Sequence, residues 1–204
     1  MDWQALTLSI NLSFITLLFL LPIGIFFGRW LAYKQFFGKS LVQSLLALPL
    51  VLPPTVLGYY LLVAFSPNQG LGLWLSNTFG STFIFNFEGL VLASIIFNLP
   101  FAIQPMQRAF AAIPREIREA ASCCGMTPNQ VLWKIELPLA WQGIVSAMVI
   151  SFAHTLGEFG IVLMIGGNIP AETQTIAISI YDRVQAFDDH AASIMSLSLL
   201  VFSM

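Results

Sequence analysis

The chain has 204 residues, of which 57% are hydrophobic and 9% are charged, and its formal net charge is −2. A soluble domain carries about 25% charged residues, so this composition excludes an ordinary water-soluble domain. The mean hydropathy of +0.83 instead indicates a chain whose main solvent is lipid. The small negative charge, without any run of basic residues, also argues against a nucleic-acid partner.

Four apolar stretches reach the roughly 20 residues that a transmembrane helix needs. They cover residues 8–27, 41–65, 89–107 and 139–165. The first has no basic segment before it and no small-residue cleavage site after it, so we expect it to be retained as a span. A fifth apolar run, 191–204, would be about 21 Å long as a helix, whereas the hydrocarbon core is about 30 Å thick. The sequence thus predicts an all-α integral membrane protein, one domain over 1–204 with about five helices. We expect the last helix to be truncated and the true C-terminus to lie beyond Met204.

Lysine and arginine are distributed unevenly between the segments that join these stretches. Seven of the eight basic residues lie in 29–40 and 108–138, and the other is Arg183. Because basic residues concentrate in cytoplasmic loops, we predict that the N-terminus lies outside and that both basic segments lie in the cytoplasm. The segments 66–88 and 166–190 would then face outward.

The segment 108–138 shows the signals of two short helices that meet at a glycine. Residues 115–124 are rich in Glu, Arg and Ala and predict the first helix, which Gly125 can end in the left-handed conformation. Thr127 and Gln130 predict a capping box at the start of the second helix, and Pro138 is expected to end it. On these residues alone, a docking surface for a soluble partner and a plain connector both remain open.

A spaced motif in this loop resembles the signature of ABC importer permeases. It consists of Glu119-Ala120-Ala121, three residues, Gly125, nine residues, Ile135, one residue, and Leu137-Pro138. The resemblance implies that the first short helix is the coupling helix, which sits in a cleft of the ATP-hydrolysing subunit. It assigns Glu119, Ala120, Ala121 and Gly125 to that contact, together with Ile135, and it implies that Leu137 and Pro138 return the chain to the membrane.

Three further stretches resemble the molybdate permeases within that family, namely residues 47–60, 156–160 and 167–176. The resemblance implies a multi-pass subunit of the bacterial cytoplasmic (inner) membrane that passes molybdate or tungstate by alternating access. It implies a homodimer with two cytoplasmic ATP-binding subunits and an extracytoplasmic molybdate-binding protein. ATP-Mg would then be bound by the ATPase partner, with no cofactor on this chain, which also has no P-loop sequence.

Two other classes of function remain open. The chain resembles sulfate permeases more weakly, so an ABC permease for sulfate, thiosulfate or another cargo is the first alternative. The second is a channel or an intramembrane enzyme that uses His154 and Glu158, and such a protein would work without any ATPase. A zinc site at these two residues is not supported, because the sequence offers no third ligand and no His/Cys cluster. We therefore predict no metal and no catalytic residue.

The second apolar stretch is interrupted by prolines, which remove backbone donors and break a helix. They are Pro49, Pro53 and Pro54, and Thr55 follows the last of them. Irregular backbone at membrane depth is tolerated only against protein or a water-filled cavity. These residues therefore predict either a hinge or wall of the translocation pathway, or a fixed kink that shapes packing.

The fourth apolar stretch contains the most polar residues. Ser151 and Thr155 lie four residues apart, as do His154 and Glu158, so each pair shares a helix face. An intramembrane charge usually faces the interior of a helix bundle, so Ser151, Thr155 and Glu158 are candidates for the pathway or a gate. The alternative for Glu158 is a structural hydrogen bond to a neighbouring helix or to His154. Since no span carries a lysine or arginine suited to hold a dianion, a tight molybdate site is expected on a separate protein.

Three smaller features also bear on how the helices pack. Ser94 and Asn98 could face the pathway or join helices. Gly24 and Gly28 form a G-x-x-x-G pair of the kind found at helix contacts. Residues 173–181 fit either a short helix at the membrane surface or a strand.

Overall fold

The computed structural model describes residues 2–68, 70–80 and 82–203, and every regular element within these ranges is helical. The all-α prediction is therefore confirmed. The helices are α1 (Trp3–Tyr33), α2 (Lys39–Val51), α3 (Pro54–Phe65), α4 (Gly70–Phe79), α5 (Phe87–Ala111), α6 (Arg115–Cys123), α7 (Pro128–Val131), α8 (Leu137–Gly157), α9 (Gly160–Gly166), α10 (Ile176–Gln185) and α11 (Asp189–Ser203). A π-helical turn, Leu132–Glu136, joins α7 to α8.

Three continuous helices in the described ranges are long and apolar enough to cross a membrane: Trp3–Tyr33, Phe87–Ala111 and Pro128–Gly157. The bent pair α2 and α3 adds a fourth candidate if it forms one span. The remaining apolar helix, α11, is shorter, and Met204 at the end of the predicted fifth span lies outside the described residues. The structure thus supports three or four membrane spans by length and composition, and a total of five transmembrane helices remains a prediction.

The long helices α1, α5 and α8 pack against one another and form the centre of the fold. Gly24 and Gly28 are both buried where α1 contacts α5. A Cβ at Gly28 would lie 3.0 Å from the backbone nitrogen of Gln107 and 3.0 Å from Cβ of Met106, which is closer than ordinary van der Waals contact. The G-x-x-x-G pair therefore lies at a helix contact, where small residues let two backbones approach in lipid.

Two of the predicted spans are interrupted. The stretch 41–65 divides at Leu52 and Pro53, where α2 and α3 meet at a bend of 110°. The stretch 139–165 divides at Glu158, between α8 and α9. The helices that follow the two breaks pack on each other, and Gly58 of α3 faces Met164 of α9.

The helix α10 packs beside the N-terminal end of α1. The backbone N–H of Ile176 donates to the Ser9 hydroxyl at 2.8 Å, and the Ser179 hydroxyl donates to Asp2 at 3.1 Å. Residues 176–181, for which the sequence left helix and strand open, are therefore helical. Because α6 contacts residues near the C-terminal end of α1, α10 and α6 lie at opposite ends of the bundle.

Candidate functional site

The corner between α6 and α7 has the local structure that its residues predict. Gly125 has φ +76°, a conformation that favours glycine. The Thr127 hydroxyl accepts from the Gln130 N–H at 3.4 Å, and the Gln130 side chain accepts from the Thr127 N–H at 2.9 Å. This reciprocal capping box fixes where α7 begins, so the two short helices meet at a defined corner.

The signature residues on α6 point in different directions. Glu119 and Ala120 are exposed, and Glu119 pairs with Arg115 one turn earlier at 2.5 Å. Ala121 is only 5% exposed, and its carbonyl accepts the N–H of Met126 at 3.2 Å. Ala121 and Gly125 therefore build the corner, whereas Glu119 and Ala120 present a surface that a partner can contact.

Pro138 does not end the second short helix, so that expectation was wrong. The chain continues as one helical segment from Pro128 to Gly157. In the π-helical turn the N–H of Leu137 donates to the carbonyl of Leu132, five residues back. This wider turn moves the preceding carbonyls away from the proline ring, which would otherwise clash with the carbonyl four residues before it. Ile135 and Leu137, both partly buried, lie in and just after this turn.

A buried carboxylate lies beneath α6, and sequence reasoning missed it. The side chain of Glu136 is 0% exposed and pairs with Arg29 of α1 at 2.5 Å and with Arg118 of α6 at 3.2 Å. The Arg118 guanidinium also lies over the ring of Tyr33, 3.4 Å from its centroid. We call these four residues the Glu136 cluster. The signal in the sequence was a single acid between Ile135 and Leu137, at the point where an apolar stretch begins.

The Glu136 cluster joins three elements that the sequence keeps far apart. Arg29 and Glu136 are 107 positions apart along the chain. A buried charge is stable only when it is paired and hydrogen-bonded, so each arginine is held by the carboxylate. A displacement of α6 would therefore act on α1 and on the start of α8.

The predicted pathway residues near the two helix breaks lie close together. Pro53, Pro54 and Thr55 are exposed at the start of α3. A Cβ at Gly160, the first residue of α9, would lie 2.8 Å from Cβ of Pro54 and 3.5 Å from the backbone nitrogen of Thr55. Glu158 stands at the second break and accepts the Ile161 N–H at 3.0 Å, so its contact is that of a cap for α9.

The other predicted pathway residues lie inside the helix packing. Ser151 and Thr155 are 0% and 2% exposed, and the Thr155 hydroxyl donates to the Ser151 carbonyl at 2.8 Å. The Asn98 side chain donates to the Thr155 hydroxyl at 3.0 Å and lies 3.1 Å from Nδ1 of His154. These contacts join α5 to α8. A pathway role for Ser151 and Thr155 stays a prediction, and helix joining is the role that the contacts of Asn98 show.

His154 and Glu158 do not share a helix face, contrary to what their spacing suggested. The helix α8 ends at Gly157, and Glu158 has extended backbone with ψ 129°. The ring of His154 packs against those of Phe97 and Phe101, at centroid distances of 4.8 and 4.1 Å. Among the described residues, no group of three or more His, Cys, Asp and Glu side chains could hold a metal ion.

Comparison with known proteins places this geometry in a family. The family model of the binding-protein-dependent transport system inner membrane component matches residues 21–204. The molybdenum transport system permease protein ModB of Azotobacter vinelandii is 42% identical over 202 residues, which cover 99% of this chain and 89% of the relative. ModB of Escherichia coli K12 is 38% identical, with coverage of 100% and 90%. The sulfate transport system permease protein CysT of the same organism is more distant, at 32% identity over 94% of this chain and 69% of the relative.

A solved structure shows the same fold. The alginate ABC transporter in complex with an alginate pentasaccharide-bound periplasmic protein has a chain that matches with a TM-score of 0.79 at 21% identity. The match covers 98% of this chain and 73% of that one. The family model and the permease relatives each extend over most of the sequence. This chain therefore belongs to the family of binding-protein-dependent transport system inner membrane components, and it is a multi-pass protein of the inner membrane.

Proposed function

We propose that this chain is the membrane-spanning subunit of an ABC importer and that it passes molybdate through the membrane by alternating access. The observation that carries the proposal is the signature loop, whose exposed residues Glu119 and Ala120 lie on a helix anchored by the Glu136 cluster. The molybdenum-transport names of relatives 38–42% identical over nearly the whole chain support the cargo. Tungstate is a chemically similar cargo.

The energy would come from two separate ATP-binding subunits on the side of α6. The exposed face of α6 supplies the contact, and the ion pair between Arg118 and Glu136 passes the movement to α1 and α8. A partner can shift the equilibrium between the inward-open and outward-open states of the bundle only by the difference between its affinities for the two states. ATP-Mg would be bound by those subunits, and this chain would bind no cofactor.

The pathway would form between two copies of this chain. Pro53, Pro54 and Thr55 are exposed beside the break at Glu158, as expected of a wall that a second copy completes. The helix α2 buries none of its residues within the described part of the chain, so it has a face free for a partner. Each copy would contribute one domain, and the homodimer would contain one pathway.

The end of the bundle opposite α6 would face outward and receive the substrate-binding protein. This orientation follows from the concentration of basic residues at the α6 side. A cavity of about 790 Å³ opens at the N-terminal end of α1, with Trp3, Thr7, Asn86 and Glu172 in its wall. In the solved alginate transporter a periplasmic protein is bound, which supports a partner of that kind.

Molybdate would pass this chain without being held tightly. It is a dianion, and Glu158 beside the break would repel it at short distance. Strong recognition then belongs to the extracytoplasmic binding protein, and Glu158 would serve to anchor α9 and to gate the pathway. The alternative cargo is sulfate, because a relative that is 32% identical is named as a sulfate transport system permease protein.

The test is uptake of labelled molybdate by the reconstituted complex, with Glu119→Lys as the variant. We expect a more than tenfold loss of ATP-driven uptake and of ATPase binding, with normal membrane insertion, because the reversed charge lies on the exposed face of α6. Asp189→Lys is the matched control for ATPase binding, since it reverses an exposed acid at the start of α11, away from α6, and should leave that binding unchanged. Undiminished uptake in Glu119→Lys would refute the docking role, and uptake without any ATPase would favour a channel. Faster uptake of sulfate than of molybdate would reassign the cargo.

A further inference from the structure

A groove with an apolar end and a basic end runs along one face of α1. Its α1 residues recur every three or four positions from Pro22 to Tyr33, and Lys34 follows at the C-cap. Its other wall comes from α6, the π-helical turn and the start of α8. The cavity has a volume of about 550 Å³. Twelve residues of helix extend about 18 Å, which is close to the roughly 15 Å of one leaflet of the hydrocarbon core.

The part of the groove nearest Pro22 is apolar. Pro22, Ile25 and Phe26 line it on α1, and Leu137 lines it on α8. Phe26 is 64% exposed although it lies within a membrane-spanning helix. This part therefore offers an acyl chain a wall without polar groups.

The part of the groove nearest Lys34 is basic. Arg29, Lys34 and Arg118 line it. The two arginines share the single carboxylate of Glu136. Three cations and one carboxylate leave two net positive charges. Lys34 is exposed and has no acidic partner within the described part of the chain.

Two tryptophans mark the boundary between the apolar and the basic part. Trp30 and Trp133 line the groove from opposite walls, and Trp133 is 70% exposed. Tryptophan is enriched where hydrocarbon meets lipid headgroups, so the basic residues lie at headgroup level. The groove thus changes from apolar to cationic at the depth where a phospholipid changes from acyl chain to phosphate.

We propose that this groove binds one phospholipid with an anionic headgroup, with one of its two acyl chains against Ile25 and Phe26 and its phosphate at Lys34, Arg29 and Arg118. A free phosphate or oxyanion would match the basic end but would leave the apolar wall empty. A zwitterionic lipid would fill the apolar wall but would leave two positive charges uncompensated. Basic pockets between transmembrane helices bind anionic headgroups for this reason. The proposal depends on the membrane placement of the chain and not on its cargo.

The test is native mass spectrometry of the purified complex with added phosphatidylglycerol or phosphatidylcholine of identical acyl chains. We expect wild type to retain phosphatidylglycerol preferentially. Lys34→Gln should lower that retention by about fivefold, the loss expected for one basic residue at a headgroup. Lys134→Gln is the matched control, because Lys134 is exposed in the π-helical turn but does not line the groove.

Three results would overturn the proposal. Equal retention of the two lipids by wild type would remove the preference for an anionic headgroup. An equal loss in Lys34→Gln and Lys134→Gln would show a general effect of charge rather than a site. Displacement of phosphatidylglycerol by millimolar inorganic phosphate would assign the basic end to a free anion. Because each arm measures bound lipid, the result is independent of whether molybdate is the cargo.

Discussion

Two arginine–carboxylate pairs lie at the α6 end of the bundle, one on α6 and one between α1 and the π-helical turn, and their shortest N–O distances are both 2.5 Å. In the pair of Arg115 and Glu119 both side chains are exposed, at 83% and 57%, whereas Glu136 opposite Arg29 is 0% exposed. Water competes for the exposed pair, so it contributes little to stability and is free to exchange for a partner's charge. The Glu136 carboxylate has no such alternative, so it depends on its arginines, although Arg29 keeps 33% of its side chain exposed. The same chemistry is thus exchangeable on the exposed face of α6 and anchoring beneath it, where Glu136 also pairs with Arg118 of α6.

The largest expected effect comes from Glu136→Ala, which leaves Arg29 and Arg118 without their shared partner. We expect the free energy of unfolding to fall by about 1–3 kcal/mol, the usual cost of removing one partner of a hydrogen-bonded group, because the two arginines keep 33% and 31% of their side chains exposed to solvent. Thermal unfolding of the purified protein in detergent would measure the loss. An effect no larger than that of Glu119→Ala would show that burial does not distinguish the two pairs.

An intermediate effect is expected for Glu158→Ala, because this partly buried carboxylate caps α9. Loss of a helix cap costs about 0.5–2 kcal/mol, and the start of α9 beside Pro54 should loosen. We therefore expect slower molybdate uptake with normal assembly. Glu158→Gln keeps an oxygen that accepts the Ile161 N–H and should preserve most of the uptake. If both variants transport at the wild-type rate, Glu158 has only a packing role.

The smallest effect is expected for the exposed pair. A double-mutant cycle of Arg115→Ala and Glu119→Ala should give a coupling energy of about 0.2–1 kcal/mol, and added salt should reduce it. A coupling energy near that of the Glu136 cluster would mean that α6 is held from its exposed side as well.

Local features of this chain were predictable because they depend on neighbouring residues. The capping box of Thr127 and Gln130 and the positive φ of Gly125 each involve a few consecutive positions, and both formed as expected. The break at Pro53 and Pro54 was also predictable, since a proline cannot donate to the helix ladder, but the same expectation was wrong for Pro49, which lies inside α2. Pro138 misled us for the converse reason. Its effect was cancelled by a π-helical turn that residue preferences alone do not indicate.

The contacts between helices could not be predicted in the same way. The pairing of His154 with Asn98, 56 positions away, replaced the pairing with Glu158 that helical spacing suggested. Spacing fixes which residues share a face only while the helix continues, and α8 ends at Gly157. Which face meets a neighbour depends on how α5 and α8 are placed, and that is a property of the whole bundle.

The sequence by itself determined that this is an apolar, all-helical membrane protein with a signature loop, because composition, hydropathy and motif spacing are properties of the linear chain. Only the tertiary structure decided that the loop is tied to the bundle through Glu136, with Arg29 from one helix and Arg118 from another. The physical reason is that a charge in a low-dielectric interior must find its partners in space, and partners 107 positions apart are brought together only by the packing of α1 against α8.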